Sequence, residues 1–160
     1  MKARLIGIAL LAASALVLVS GVAEAQGTTS APVSGEVLVV LAREAEGDVH
    51  PTLRDITALR RAPFNVFHSM DLLARTPIEL PVGTPVEVPL PNGRQVRLEL
   101  QGTTDDGRYR VRVSINRPGQ ADYLPLLSLV VTPGDPFFIA GQSFLDGTLV
   151  IGFRIGLPRG

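Results

Sequence analysis

The apolar residues of this chain change their spacing several times, and each spacing predicts a different element. Val37-Leu38-Val39-Val40-Leu41 is an unbroken apolar, largely β-branched run, the pattern of a strand buried on both faces. After a polar stretch from Arg43 to Asp48, Leu53, Ile56 and Leu59 recur every third residue along one face. Arg54, Asp55, Arg60 and Arg61 take the other. Pro51 at a first-turn position, with Thr52 and Asp55 as a weak cap, predicts a short helix from Pro51 to about Arg61, ended by Pro63. A strand over Phe64 to Leu73 follows, joined by a right-handed crossover if the two strands run parallel.

Further along, the period is two. Val86, Val88 and Leu90 alternate with Pro85, Glu87 and Pro89, and prolines on a strand mark a sheet edge. Val96, Leu98 and Leu100 alternate with Arg97 and Glu99. Parity then selects loop lengths. A two-residue Asn92-Gly93 loop sets Val88 against Arg97 and mixes the faces. A three-residue loop sets Val88 against Val96 and Val86 against Leu98, with Gly93 as the left-handed residue of a bulged type I turn. The same reasoning predicts a two-residue Asp106-Gly107 loop, pairing Leu100 with Val113 and Leu98 with Ile115. It predicts a two-residue Asp146-Gly147 loop as well, pairing Phe144 with Leu149, Ala140 with Phe153 and Phe138 with Ile155. Tyr123 to Val131 reads as an apolar strand closed by a type II turn at Pro133-Gly134. The fold class is therefore α+β, mainly antiparallel β. Seven or eight strands form a sandwich or a partly open barrel, with one short helix near the start of the mature chain.

Composition changes the picture at the N-terminus. Lys2 and Arg4 precede an apolar stretch from Leu5 to Val19, and Ala23-Glu24-Ala25 follows at the distance a signal peptidase reads. Residues 1–25 are therefore expected to be a secretory signal, cleaved before Gln26. An uncleaved anchor is the alternative, but the apolar run is short for a span of roughly 20 residues. The expected organisation is a signal peptide over 1–25, a flexible lead-in over 26–35 and a single mainly-β domain over 36–160. The location is the periplasm or the outside of the cell, with no membrane span after cleavage. The chain has no cysteine, which excludes disulfides, thiolate zinc sites, iron–sulfur clusters and cysteine nucleophiles. Its 15 basic and 15 acidic residues balance, which gives no reason to expect a nucleic acid as partner. Lys2 is the only lysine, so every basic residue after the signal is an arginine.

Catalytic chemistry finds little support in the residues. Glu44, Glu46, Asp48 and His50 recur at every second position and could converge on a cation from an extended loop, but a solvated loop before a helix explains them as well. His68 adjoins Ser69, yet strand neighbours point to opposite faces, so adjacency makes no nucleophile–base pair. Gly141-Gln142-Ser143-Phe144-Leu145 approaches a nucleophile elbow and lacks its final glycine and following helix. No phosphate loop, dinucleotide fingerprint or zinc-protease motif is present. No catalytic residue, metal-ligand set or cofactor is identified.

The unusual segment is Arg108-Tyr109-Arg110-Val111-Arg112-Val113, whose wet face carries Arg108, Arg110 and Arg112. Their expected neighbours across the hairpin are Gln101 and Thr103, with Glu99 diagonal to Arg112, so three arginines share about one carboxylate. Such a face suits an acidic protein surface, an acidic envelope glycan or a lipid headgroup. It would equally serve as a solvated cover that discourages edge aggregation.

Four stretches together carry a resemblance. They are Pro51-x-Leu53 through Ala62-Pro63-Phe64, Leu90-Pro91-Asn92-Gly93-Arg94, Pro133-Gly134-x-Pro136-Phe137-Phe138-x-Ala140-Gly141, and Asp146-Gly147-Thr148-Leu149-Val150. In these the chain resembles a group of small signal-peptide-bearing exported proteins of unknown function from high-GC Gram-negative bacteria. The resemblance covers most of the mature chain and implies location and fold rather than a reaction. The reading that follows is an exported, non-catalytic module that binds a protein or glycan in the cell envelope, through Arg108, Arg110 and Arg112 or the sheet edge near Pro85 to Pro91. Two alternatives stand beside it: a small hydrolytic or metal-dependent enzyme using His50 or His68, and a structural subunit of an envelope assembly. The oligomeric state is left open.

Overall fold

The computed structural model describes residues 30–159 apart from Pro118 and Ala121; the expected signal segment over 1–25 lies outside them. Eight strands are formed: β1 (Val33–Arg43), β2 (Ser69–Leu80), β3 (Val86–Pro89), β4 (Gln95–Thr103), β5 (Tyr109–Asn116), β6 (Tyr123–Val131), β7 (Pro136–Phe144) and β8 (Gly147–Ile155). They make two four-stranded antiparallel sheets, ordered β2-β1-β8-β7 (sheet A) and β3-β4-β5-β6 (sheet B). The alternating positions meet between the sheets. Val37, Val39, Ile151 and Phe153 of sheet A share one core with Val96, Leu98, Val111 and Val113 of sheet B. The chain is a mainly antiparallel β-sandwich.

The unbroken apolar run of β1 is buried on both faces, with Val37 through Ala42 no more than 1% exposed. Its second face has its own cover. Val40, Ala42 and Val150 pack under Leu53, Leu59, Phe64 and Met70 in a separate apolar cluster. The covering segment is not the single helix expected over Pro51 to Arg61. It consists of α1 (Pro51–Arg54) and two 3-10 turns, Thr57–Arg60 and Phe64–Val66. The spacing explains the difference. Leu53, Ile56 and Leu59 recur every third residue, which is the repeat of a 3-10 turn and not of an α-helix. Accordingly the Leu53, Ile56 and Leu59 N–H groups each donate to the carbonyl three residues back. The strand expected from Phe64 begins only at Ser69 and runs antiparallel to β1, so no parallel crossover exists. β1 itself starts at Val33, inside the expected lead-in, because Val33–Gly35 pair with Ile78–Leu80.

The Pro91-Asn92-Gly93 loop has the expected length. Val88 faces Val96, Val86 faces Leu98, and Gly93 has φ of 79°. The other two hairpins differ from expectation. Thr104 closes on Arg108, so the loop is the three residues Asp105-Asp106-Gly107. An odd loop alone would flip the faces, and a register shift between Leu100 and Gly102 flips them back, leaving Leu98 opposite Val113 and Leu100 opposite Val111. In the last hairpin the two loop residues are Leu145 and Asp146, with Phe144 paired to Gly147. A second shift, at Gly141, then moves Phe137 rather than Ala140 opposite Phe153 and sets Phe138 opposite Gly152. Phe138 consequently lies on the outer face, in edge-to-face contact with Phe64. The Pro133-Gly134 turn is as expected, with φ of 79° at Gly134.

Candidate functional site

The two outer faces of the sandwich differ. That of sheet A lies beneath the helical turns, whereas that of sheet B carries the side chains alternating with the core: Arg97 and Glu99 on β4, Arg110 and Arg112 on β5. Of the three arginines singled out by sequence, Arg108 falls outside β5, in the turn, where it pairs with Asp106 at 2.7 Å. Arg112 lies directly opposite Glu99, not diagonal to it, and their charged atoms are 3.5 Å apart. Arg110 sits between Gly102 and Val130 and makes no ion pair among the described residues. The three-residue turn causes this, because it sets Gly102 rather than Thr103 opposite Arg110.

Sequence reasoning missed the rest of the face. Arg97 donates from Nε and Nη2 to the same Glu87 oxygen, at 3.0 and 2.6 Å, bridging β4 to β3. Its guanidinium lies 3.8 Å from the centroid of the Tyr123 ring on β6, and the Tyr123 hydroxyl donates to Gln95 at 2.9 Å. The Arg97 bond lowers the Glu87 pKa, and burial raises that of the Tyr123 hydroxyl. Arg97 was legible as an outward strand residue. Its stacking on Tyr123 depends on the register of β6, which no local signal carries. The other surface singled out, Pro85 to Pro91, is the free edge of sheet B formed by β3.

The histidines stand apart from this face. His50 caps α1: its Nδ1 accepts the Thr52 N–H at 3.3 Å, and its own N–H donates to the Met70 carbonyl. His68 is exposed, and its backbone N–H donates to the Arg43 carbonyl. Glu44, Glu46 and Asp48 are exposed on the loop between, and among the described residues no three acids and histidines gather as a metal would need. Gly141 to Leu145 contains a strand bulge and a hairpin turn, without a following helix.

Two cavities lie against the helical turns. One, of about 310 Å³, is lined by Val49, Leu53, Leu59, Phe67 and Met70, with Arg54 and Asn65 at the rim. The other, of about 530 Å³, is bordered by Glu36, Thr52, Asp55, Asp135 and Arg154. Both Glu36 oxygens are engaged, one by Arg75 Nε at 2.6 Å and one by Arg154 Nη1 at 3.3 Å. A carboxylate so held joins β1, β2 and β8. Comparison with known proteins adds no relative: no family model matches the sequence, and neither a curated protein nor a solved structure matches it.

Proposed function

We propose that the protein is an exported, non-catalytic module of the cell envelope that holds an acidic protein surface or glycan on the outer face of sheet B. The contrast between the two outer faces carries this reading. Sheet A spends its outer face on a second apolar core, while that of sheet B displays Arg97, Arg110, Arg112 and Tyr123. Ion pairing orders Arg97 and Arg112 within this array and leaves Arg110 available to a carboxylate from outside. The Tyr123 ring under Arg97 holds that guanidinium in place on the face.

The test uses two polyanions, polygalacturonate for an acidic glycan and polyglutamate for an acidic protein surface, with neutral dextran as control. Binding to one polyanion, weakened by salt and weakened several-fold by Arg110→Gln, is the expected result. His50→Ala and His68→Ala should bind like the parent. Equal binding by Arg110→Gln and the parent contradicts the assignment of the face. For the export step, intact mass of the protein recovered outside the cytoplasm should correspond to a chain beginning at Gln26; full-length protein held in the membrane would contradict it.

A further inference from the structure

The two sides of the sandwich treat their free edges differently. One side is formed by β2 and β3, joined by a short connection, and the other by β6 and β7, joined by the turn at Thr132–Asp135. β2 carries Asp71, Arg75, Pro77 and Glu79, and β3 has four residues, with Glu87 and Pro89 among them. Charges, prolines and shortness are the usual means of stopping another strand from adding to an edge. The core behind them is closed: Ile78, Leu80, Val88 and Leu90 are all buried.

The opposite side lacks those charges. From Tyr123 to Leu145 the only charged side chain is Asp135, which lies in the turn. Leu127, Leu129, Phe137, Ile139 and Phe144 pack on the core but are only partly buried, and Val130 is 40% exposed. Pro125 and the register shift beside it interrupt the first part of β6, and the shift at Gly141 interrupts the second part of β7. Between these interruptions Leu127–Val131 and Pro136–Ala140 form regular, uncharged edges on the same side of the molecule.

We propose that the chain forms a dimer through this side, with Leu127–Val131 of β6 pairing antiparallel to the same segment of a second copy about a two-fold axis. The charge pattern selects the occupant. A two-fold contact sets a surface against itself, so a patch bearing one sign of charge repels its copy and an uncharged one does not. A different protein would find no charge on these strands to select it. Pairing through β6 extends sheet B across the axis, satisfies the free backbone groups of both edges and brings β7 near its counterpart. The partly buried side chains at the open seam are then covered. Since the contact is at the edge, the outer face with Arg97 and Arg110 stays open, and the dimer does not depend on the function proposed above.

Sedimentation velocity over a concentration series tests this, using protein purified after expression of the full chain. The parent should be dimeric at roughly 100 μM and dissociate on dilution. Val130→Glu places a carboxylate opposite Arg110 within the monomer, so the variant keeps an internal partner for the new charge. Across the axis, position 130 stands opposite Ser128 of the second copy and diagonal to position 130 of that copy. The substitution thus sets two like charges on one face of the joined sheet, and dimerisation should weaken by at least about tenfold. Leu73→Glu, at an exposed apolar position on β2, should leave dimerisation unchanged. A monomeric parent, a dimer indifferent to Val130→Glu, or equal weakening by Leu73→Glu would overturn the proposal. Should Val130→Glu fail to fold, amide exchange of the parent decides: protection of residues 127–131 rises with concentration if they form the interface, and stays constant if they do not.

Discussion

Glu36 is the one charged side chain buried among the described residues, and its environment accounts for its tolerance there. Two guanidiniums from different strands take its two oxygens, while both arginines keep more than a third of their own surface in water. The cost of removing a partner is therefore asymmetric. Glu36→Ala returns the arginines to solvent and should destabilise by about 1–3 kcal/mol. Arg75→Ala combined with Arg154→Ala strands a buried carboxylate and should cost roughly 3–5 kcal/mol. Urea unfolding of the two variants checks the order, and the reverse order would refute the account of Glu36. Exposed acids make a different prediction. The Arg108 hydrogen bond, with a second from Thr104, holds the Asp106 carboxyl down to about 2 from an ordinary 3.8. Arg43 lowers Asp146 in the same direction. Because the folded values lie below the unfolded ones, this stabilisation is complete above about pH 4 and is lost as pH falls toward about 2. Asp106→Asn should make the fall in Tm across that window shallower, and a steeper fall would contradict the pairing.

At the scale of elements, parity placed the faces of β3, β4 and β5 but misjudged register and the face of Phe138 on β7. It decided the Pro91-Asn92-Gly93 loop because a wrong length there had no compensation. It misjudged the next two hairpins because Gly102 and Gly141, with φ of 150° and 130°, permit bulges that change the pairing again. In the β4–β5 hairpin, a three-residue loop plus a bulge and a two-residue loop alone bury the same side chains, so hydrophobic pattern cannot separate them. The segment from Pro51 to Arg61 departs from a helix for a different reason: its apolar period is three, that of a 3-10 turn, and not 3.6. The Gly141 bulge has a consequence for packing. It turns Phe138 to the outer face, over Gly152, where a Cβ would overlap the Phe138 ring. Gly152→Ala should displace Phe138 from Phe64 and cost roughly 1–3 kcal/mol in urea unfolding, an overpacking penalty. An unaffected variant would mean that Phe138 does not hold the helical turns in place.

For the whole molecule, the sandwich follows from the strand pattern, but its functional asymmetry required the three-dimensional arrangement. Arg110 and Arg112 were legible as an outward pair on β5. Their unequal status was not, because it arises from Glu99 standing opposite one and Gly102 opposite the other. The Arg97–Tyr123 stack was equally hidden, since it joins β4 to β6 across the intervening strand. The central claim is that this face of sheet B, and not the histidine-bearing side, meets the partner. The most direct test is an NMR titration of the protein with polygalacturonate and with polyglutamate, following backbone amides. The account predicts that one of the two shifts signals along β4, β5 and the start of β6, strongest near Arg97, Arg110 and Tyr123, and that Arg110→Gln reduces the shifts. Shifts gathered instead around His50 and His68, or none with either polyanion, would contradict it.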